Sequence, residues 1–418
     1  MKSKILLLTV AMVFTLSTFA ETVETDHEWY LAGEAMKVSV TIDDDNALIA
    51  YAELCDTHGL AASGLVGLNG GVGESIVELP SDLHSGYYVL SVYTRDNPLV
   101  SHRLVAVVNP LRKSENDDIE WIRVRHPDSL SYAQASKGES ADLIDHKDVG
   151  ASEKEGHIIK ARVKNVYEGN TFRDSQIRSS LSIVGKQIHY FEGKMENDSM
   201  TVFYTYGLHG KLPMVLSAIS STGVSLPIEI ISPFATLLPK KLPHLLFHYQ
   251  RSEIEDRSII MQRHQRLRVH ASAEMTATAS GTILDYDEMV FGTKPDITYN
   301  LDEYRQFLTV REVLLEYVIG VVKKKDNGVT QLSVHRDSEH YSSMLPTLVL
   351  IDGMPVSNIE QLLNYDARRI HYINIYNSQY TFGYGIYDGI ISFVTRSGQL
   401  TNYPTESNAQ YLVYEFPE

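Results

Sequence analysis

The sequence predicts a mainly β protein: two β-sandwich modules followed by a small α/β domain. Three observations carry this. Tyrosine is abundant, at 25 residues, and it sits with β-branched residues in short alternating runs. Gly, Asn and Asp interrupt those runs about every 8–12 residues, the spacing of sandwich strands and turns. Toward the C-terminus, Leu348-Val-Leu-Ile-Asp-Gly-Met-Pro-Val356 and Phe382-Gly-Tyr-Gly-Ile-Tyr-Asp-Gly-Ile-Ile-Ser-Phe-Val-Thr-Arg-Ser-Gly398 change the pattern. They read as buried strand, tight turn, short helix, strand, glycine-rich loop and strand.

Residues 1–20 read as a secretory signal: Lys2 and Lys4, the apolar run Ile5 to Leu16, and the small-residue site Thr18-Phe-Ala20. Glu21 is the expected mature start. No cysteine follows that site, so a lipoprotein anchor is not expected, and no later run reaches the roughly 20 apolar residues of a membrane helix. The expected location is the periplasm or the outer membrane. Removing Lys2 and Lys4 takes the formal charge from −16 to −18. Such a charge opposes non-specific binding to nucleic acid or anionic lipid. Cys55, the only cysteine, excludes an intramolecular disulfide and a cysteine-rich metal site. It reads as a buried small hydrophobe.

The first module is placed at 21–108. Val38-Ser-Val-Thr-Ile42 alternates, Asp43-Asp-Asp-Asn46 turns, Leu48 to Leu54 is a strand, Pro80 stops pairing, and Tyr87 to Tyr93 has period two. Trp29-Tyr-Leu-Ala-Gly-Glu34, Ala52-Glu-Leu-Cys-Asp56 and Leu79-Pro-Ser-Asp-Leu-His-Ser-Gly-Tyr-Tyr88 resemble the second macroglobulin-like domain of the alpha-2-macroglobulin family. That resemblance implies a structural and interaction module. The family's thioester needs a Cys close to a Gln, which is missing here.

Residues 109–155 read as a connector, with Trp121-Ile-Arg-Val-Arg125 adding a strand and the polar stretch Ser136 to Gly156 as a mobile linker. A second sandwich spans 156–235, with strands at Ile158–Val163, Ser180–Val184, Ile188–Phe191 and Met200–Tyr204. It resembles the small immunoglobulin-like modules of secreted Bacteroidota proteins. Residues 236–295 read as a strand-rich connection, in which Arg263-His-Gln-Arg-Leu-Arg268 forms a charged face of an exposed strand. Leu301 to Val318 places Phe307, Val310, Leu314, Tyr317 and Val318 on one stripe at helical spacing, and Lys323 to Gly328 closes it as a turn.

The α/β domain is placed at 296–400, with a tail at 401–418. Leu348–Ile351 lacks alternation and is expected to be covered on both faces, and Asp352-Gly353 is a two-residue turn. Ser357 or Asn358 caps a helix through Leu363. Ile370–Tyr376 and Ile390–Thr395 are strands joined by a flexible Gly383 and Gly385 loop. The order and wording of 345–398 resemble the plug domain of TonB-dependent outer-membrane receptors. The chain departs from that family in lacking a Glu in Ile370–Ile375, a barrel and an energy-coupling box. The resemblance implies a non-enzymatic, exported envelope protein that binds or closes a barrel or secretion pore formed by another protein. Asp352, Gly353, Phe382, Gly383, Tyr384, Gly385 and Tyr387 are the expected partner contacts. The alternative is a secreted adhesin that binds through its sandwiches.

No motif calls for a cofactor or a metal. His244 and His248 lack the adjacent glutamate of a zinc helix and sit in a strand-like run. Gly64 to Gly73 lacks the Lys-Ser/Thr of a phosphate loop and reads as a flexible loop. Asp43–Asp45 and Asp285–Glu288 lack calcium-loop spacing, and there is no Gly-x-Ser-x-Gly elbow.

Overall fold

A computed structural model describes residues 22–96, 100–126, 129–143, 153–164, 177–185, 188–197, 199–220, 224–277, 291–326, 329–335, 345–398, 400, 403 and 408–417. The expected signal at 1–20 and the acidic run Asp285–Glu288 lie outside the described residues. The protein is mainly β, built from several sheets.

In the first sandwich a three-stranded sheet (Thr22–Thr25, Ala35–Thr41, Val72–Glu78) faces a five-stranded one. The latter runs Trp29–Leu31, Ser101–Val108, Gly86–Tyr93, Ile49–Cys55, Leu60–Gly67. Alternation works as expected from Val38 to Ile42, where Val38, Val40 and Ile42 enter the core, and the strand Ala35–Thr41 extends it back to Met36. Ile49–Cys55 and Gly86–Tyr93 are buried along their whole length, because the outer face of their sheet is covered as well. The glycine-rich stretch 64–73 is not a flexible loop but two strand ends joined by a tight turn at 68–71. Gly64 and Gly73 lie inside paired strands, where the missing side chain admits the facing strand.

Phe234, Leu237 and Tyr414 cover that outer face at Ile49, Tyr51 and Tyr93, and two segments that do not neighbour each other in sequence cover it at Trp29, Leu31, Tyr87 and Val108. Ile119–Arg123, Leu245–Tyr249 and Tyr132–Ala135 form a three-stranded sheet, with Leu245–Tyr249 parallel to Ile119–Arg123. Beside it lies the helix α1, Arg251–Ala277, where the sequence pattern had pointed to strands. From Arg251 to Ala277 there is no Gly or Pro, and Arg, Gln, Met and Ala favour a helix. Ile254 and Met261 pack into the apolar cluster with Trp29 and Phe247. Arg257 between them lies 3.8 Å over the Trp29 ring and pairs with Glu34. The charged run expected as a strand at 263–268 is therefore helix, with Arg263, His264 and Arg266 exposed on it. The polar stretch expected to be a mobile linker is hydrogen-bonded where described: Ser136 N–H donates to His244 O at 3.0 Å and Asp142 bridges Lys241. Its central part, 144–152, lies outside the described residues.

The second sandwich pairs a four-stranded sheet (Lys194–Met195, Met200–Thr205, His157–Val163, Ile228–Ile230) with a five-stranded one (His189–Glu192, Ile177–Ile183, Gly210–Ser220, Ser225–Leu226, Gln410–Phe416). The expected tail is thus a full strand. Gln410–Phe416 pairs with residues 210–216, and Phe416 is 1% exposed in the core.

A mixed sheet follows, ordered Ile297–Asn300, Ile370–Phe382, Gly385–Thr395, Leu348–Ile351, Met354–Pro355. Leu348–Ile351 is buried throughout and runs parallel to Gly385–Thr395. One face, with Val349, Ile373, Ile375 and Phe393, packs on the helices α2 (Val310–Glu316) and α3 (Ile359–Leu363). The other face, with Leu348, Leu350, Tyr376 and Ile390, packs with Tyr190 of the second sandwich. The helix expected over 301–318 is shorter. A single 3-10 turn at Leu301–Glu303 ends in extended backbone, and Thr309 with Glu312 forms a capping box that starts α2 afresh at Val310. Lys323 belongs to a hairpin, Val321–Asp326 with Val329–Val334, whose residues 327–328 lie outside the described residues.

Replacing Phe416 by Ala should cost about 3–5 kcal/mol, the range for a fully buried Phe. Urea unfolding read by circular dichroism checks this. An Ala at Val413, 69% exposed on the same strand, should change stability by less than about 0.5 kcal/mol.

Candidate functional site

The strands Ile370–Phe382 and Gly385–Thr395 form a long hairpin whose tip is Phe382-Gly-Tyr-Gly385. The tip reaches across to the edge of the second sandwich, where Gly383 bridges Glu192. A Cβ on Gly385 would sit 2.1 Å from Glu192 Oε2, and one on Gly383 would sit 2.5 Å from Glu192 O. Glycine is therefore required at both positions by this approach, and Gly383 also has φ +60°. Rather than a flexible loop, the segment is a seated turn.

The seat is a polar cluster, buried at Tyr387 and Tyr190 and open to solvent at Arg178. Tyr387, 2% exposed, donates its hydroxyl hydrogen to Glu192 and accepts from Arg178. Arg178 also donates to both oxygens of Glu192 at 3.2 and 3.1 Å, and its guanidinium carbon lies 4.9 Å from the centre of the Tyr387 ring. The Tyr190 hydroxyl completes the cluster, 2.8 Å from that of Tyr387. Burial pushes the Tyr190 phenol up to about 12, and burial raises Tyr387 further, with Tyr190 and Glu192 adding to it. Both are neutral hydrogen-bonding groups at physiological pH. Phe382 packs edge-on against Tyr190 at 5.6 Å.

Above this seat the tip presents Tyr384, 55% exposed. Its ring lies 6.2 Å from Tyr204, which is 45% exposed, and the Lys194 ammonium is 5.5 Å from the Tyr384 centroid. Ile386 is exposed beside it. The result is a small aromatic and aliphatic patch on a rigid base.

Asp352 and Gly353 are elsewhere and are not surface groups. Both have positive φ, +46° and +88°, as a tight hairpin turn requires. Asp352 is 1% exposed; its carboxylate accepts from Thr395 N–H at 2.7 Å, Thr395 O–H at 2.5 Å and Leu400 N–H at 2.9 Å. Burial pushes that carboxyl up, against the Thr395 and Leu400 hydrogen bonds. A Cβ on Gly353 would meet Ile188 at 2.8 Å. This turn locks the mixed sheet onto the second sandwich and offers no free contact surface.

A second polar cluster, with no local motif in the sequence, joins the two sandwiches. Glu153, 6% exposed, accepts from Tyr51 O–H at 2.6 Å, from Arg95 at 3.1 Å and from Ile158 N–H at 2.7 Å. His157 contacts Glu153 through Nδ1 at 3.0 Å and the Tyr414 hydroxyl through Nε2 at 2.7 Å. Both of its ring nitrogens are engaged, which suits positioning rather than proton transfer to a substrate. Nearby, fully buried Glu53 accepts from Tyr93 O–H and from the N–H groups of Thr236 and Leu237 at 3.1 and 2.9 Å. It thereby holds Thr236 at φ +60°. Cys55 is buried and its thiol is pushed up to about 12 by burial, with Glu53 and Asp56 adding to the effect. It is therefore a poor nucleophile. Among the described residues no His/Cys/Asp/Glu group is arranged to hold a metal ion. His248 stacks on Tyr132 at 4.3 Å and His244 pairs with Asp118 at 2.5 Å.

No protein-family model matches the chain, and no curated protein matches it. Among solved structures, the chain shows weak similarity to Salmonella alpha-2-macroglobulin reacted with methylamine. That match has 10% identity and a TM-score of 0.18, over 55% of this chain and 15% of that one. Similarity to MfFcnA9, an endo-fucoidan hydrolase of glycoside hydrolase family 107, has 9% identity and a TM-score of 0.13, over 53% of this chain and 32% of that one. The chain thus spans less than a third of either structure, and neither likeness bears on its function.

Glu153 gives a pH dependence. Burial opposes its charge, but the hydrogen bond from His157 and the Arg95 charge outweigh burial and hold the carboxyl below its usual value. Its stabilisation is therefore complete above the unfolded carboxyl pKa of about 4.3 and is lost as pH falls through the lower folded value. Glu153→Gln should cost roughly 3–5 kcal/mol at pH 7, because Arg95 is left buried without its partner. The deficit relative to wild type should shrink below about pH 4, measured by chemical unfolding across pH.

Proposed function

We propose that this chain is a non-enzymatic, exported binding protein. Its C-terminal α/β unit acts as a plug-like element that docks on or closes an outer-membrane barrel or secretion pore formed by another protein. The observation that carries the reading is the hairpin tip. Gly383 and Gly385 seat it on Glu192, the Arg178–Tyr387 cluster fixes its base, and Tyr384, Tyr204 and Ile386 face outward. Tyrosines held this way lose little entropy on binding and supply large amphipathic contact area, the composition of interface hot spots. The mixed sheet is covered by helices on one face and by the second sandwich on the other. Docking therefore uses the tip, with the sandwiches as a rigid handle.

The narrowed contact set is Tyr384, Tyr204, Ile386 and Lys194. Phe382 and Tyr387 act from below as supports. Cross-linking tagged protein in its source bacterium and identifying what co-purifies with the outer membrane tests this. A recurring barrel protein is expected. Its recovery should fall about tenfold or more in Tyr384→Ala, with the melting temperature unchanged because Tyr384 is more than half exposed. Undiminished recovery, or a wild-type protein without a barrel partner, would remove the assignment.

A further inference from the structure

A cleft of about 260 Å3 opens between the two sandwiches. The hollow beside α2 is about 10 Å3, enough for one water at most. Ligand sites favour such module boundaries. Leu48, Leu68 and Asn69 line the cleft from the first sandwich, and Glu155, Tyr206 and His209 from the second.

The chemistry of this lining is one-sided. The Glu155 carboxylate is exposed and can only accept hydrogen bonds when ionised. His209 Nδ1 lies 3.1 Å from Pro417 O. A carbonyl can only accept, so Nδ1 carries the proton, and the ring in its neutral form would present Nε2 as an acceptor. Asn69 adds an amide and Tyr206 a hydroxyl. Among the described residues no Lys or Arg lines the cleft, which disfavours an anionic ligand. Beside these acceptors lie apolar surfaces, Leu48, Leu68 and the Tyr206 ring. That ring is 67% exposed and braced edge-on by Phe191 at 5.4 Å.

A ligand rich in hydroxyl donors, uncharged, with one apolar face, matches that lining. The walls come from strand ends and turns: Leu48 and Ile49 where one strand starts, Gly67 to Asn69 where the next ends, Thr205 to His209 after a third. Of the described strands, only Ile49, Gly67 and Thr205 at their ends line the cleft, so it offers no length of strand to pair with an extended peptide. We propose that the cleft binds a neutral saccharide of one or two rings, with a pyranose C–H face on Tyr206 and its hydroxyls donating to Glu155 and His209.

The test is titration of the full chain with lactose, maltose and cellobiose, and with digalacturonate as the anionic comparison, by saturation-transfer NMR and calorimetry. At least one neutral disaccharide should bind at millimolar concentration, and digalacturonate should not. Tyr206→Ala should weaken binding about tenfold, and His209→Ala and Asn69→Ala several-fold each, all with unchanged thermal unfolding. Tyr384→Ala should bind as wild type, which separates this site from the hairpin tip. Failure of every neutral disaccharide, equal binding of digalacturonate, or binding unaffected by Tyr206→Ala and His209→Ala would overturn the proposal.

Discussion

The pairing of Gln410–Phe416 with residues 210–216 is the constraint on which the rest of the architecture depends. It makes the last strand part of the second sandwich, although the whole mixed sheet lies between the two in sequence. The segment from 291 to 400 is therefore followed closely by a strand of the body on which its sheet packs. Its sheet meets the second sandwich face-on, with Asp352-Gly353 packed at one end and the tip on Glu192 at the other. A compact domain on a single linker could swing; one joined to a strand of its neighbour and packed on it by a sheet face has far fewer ways to move.

The junction between the sandwiches uses a different kind of contact. It is polar where the sheet stack is apolar. Tyr51 and Arg95 from one module converge with Glu153, His157 and Tyr414 from the other. A buried charge network of this kind is weak as a source of stability but strict about geometry, because any relative shift leaves a charge without its partner. Glu53 works similarly on the crossing segment at Thr236 and Leu237. Orientation between the modules is specified by these carboxylates, and the apolar contacts of Tyr51, Tyr93 and Phe234 fill the space around them.

What could be read from the sequence was local. The alternation from Val38 to Ile42, the continuous burial of Leu348–Ile351 and the Asp352-Gly353 turn each follow from neighbouring residues, and the structure shows them at those places. The mainly β character follows from the same signals. The helix α1 was missed because its inward stripe is sparse, with Ile254 and Met261 buried and Arg257 between them. Its stabilising partners Trp29 and Glu34 lie more than two hundred residues earlier. The site was legible only in part. Gly383, Tyr384, Gly385 and Tyr387 carry a visible pattern, but Arg178, Tyr190 and Glu192 do not, since the contacts that define them span roughly 195 to 209 residues. The glycines looked like freedom in the sequence. Only the Glu192 oxygens beside them show that they serve close approach.

The late strand also imposes a timetable. Until residues 410–416 are available, Gly210–Ser220 has an unpaired edge over its first half, and the sandwich core lacks Phe416 and Leu412. A pairing across about two hundred residues closes slowly, since loop-closure entropy must be met before the contact rewards it. An open, partly apolar edge is also a template for association with other chains. The second sandwich thus remains incomplete while the roughly two hundred residues between these strands emerge, and its open edge is covered only once residues 410–416 arrive.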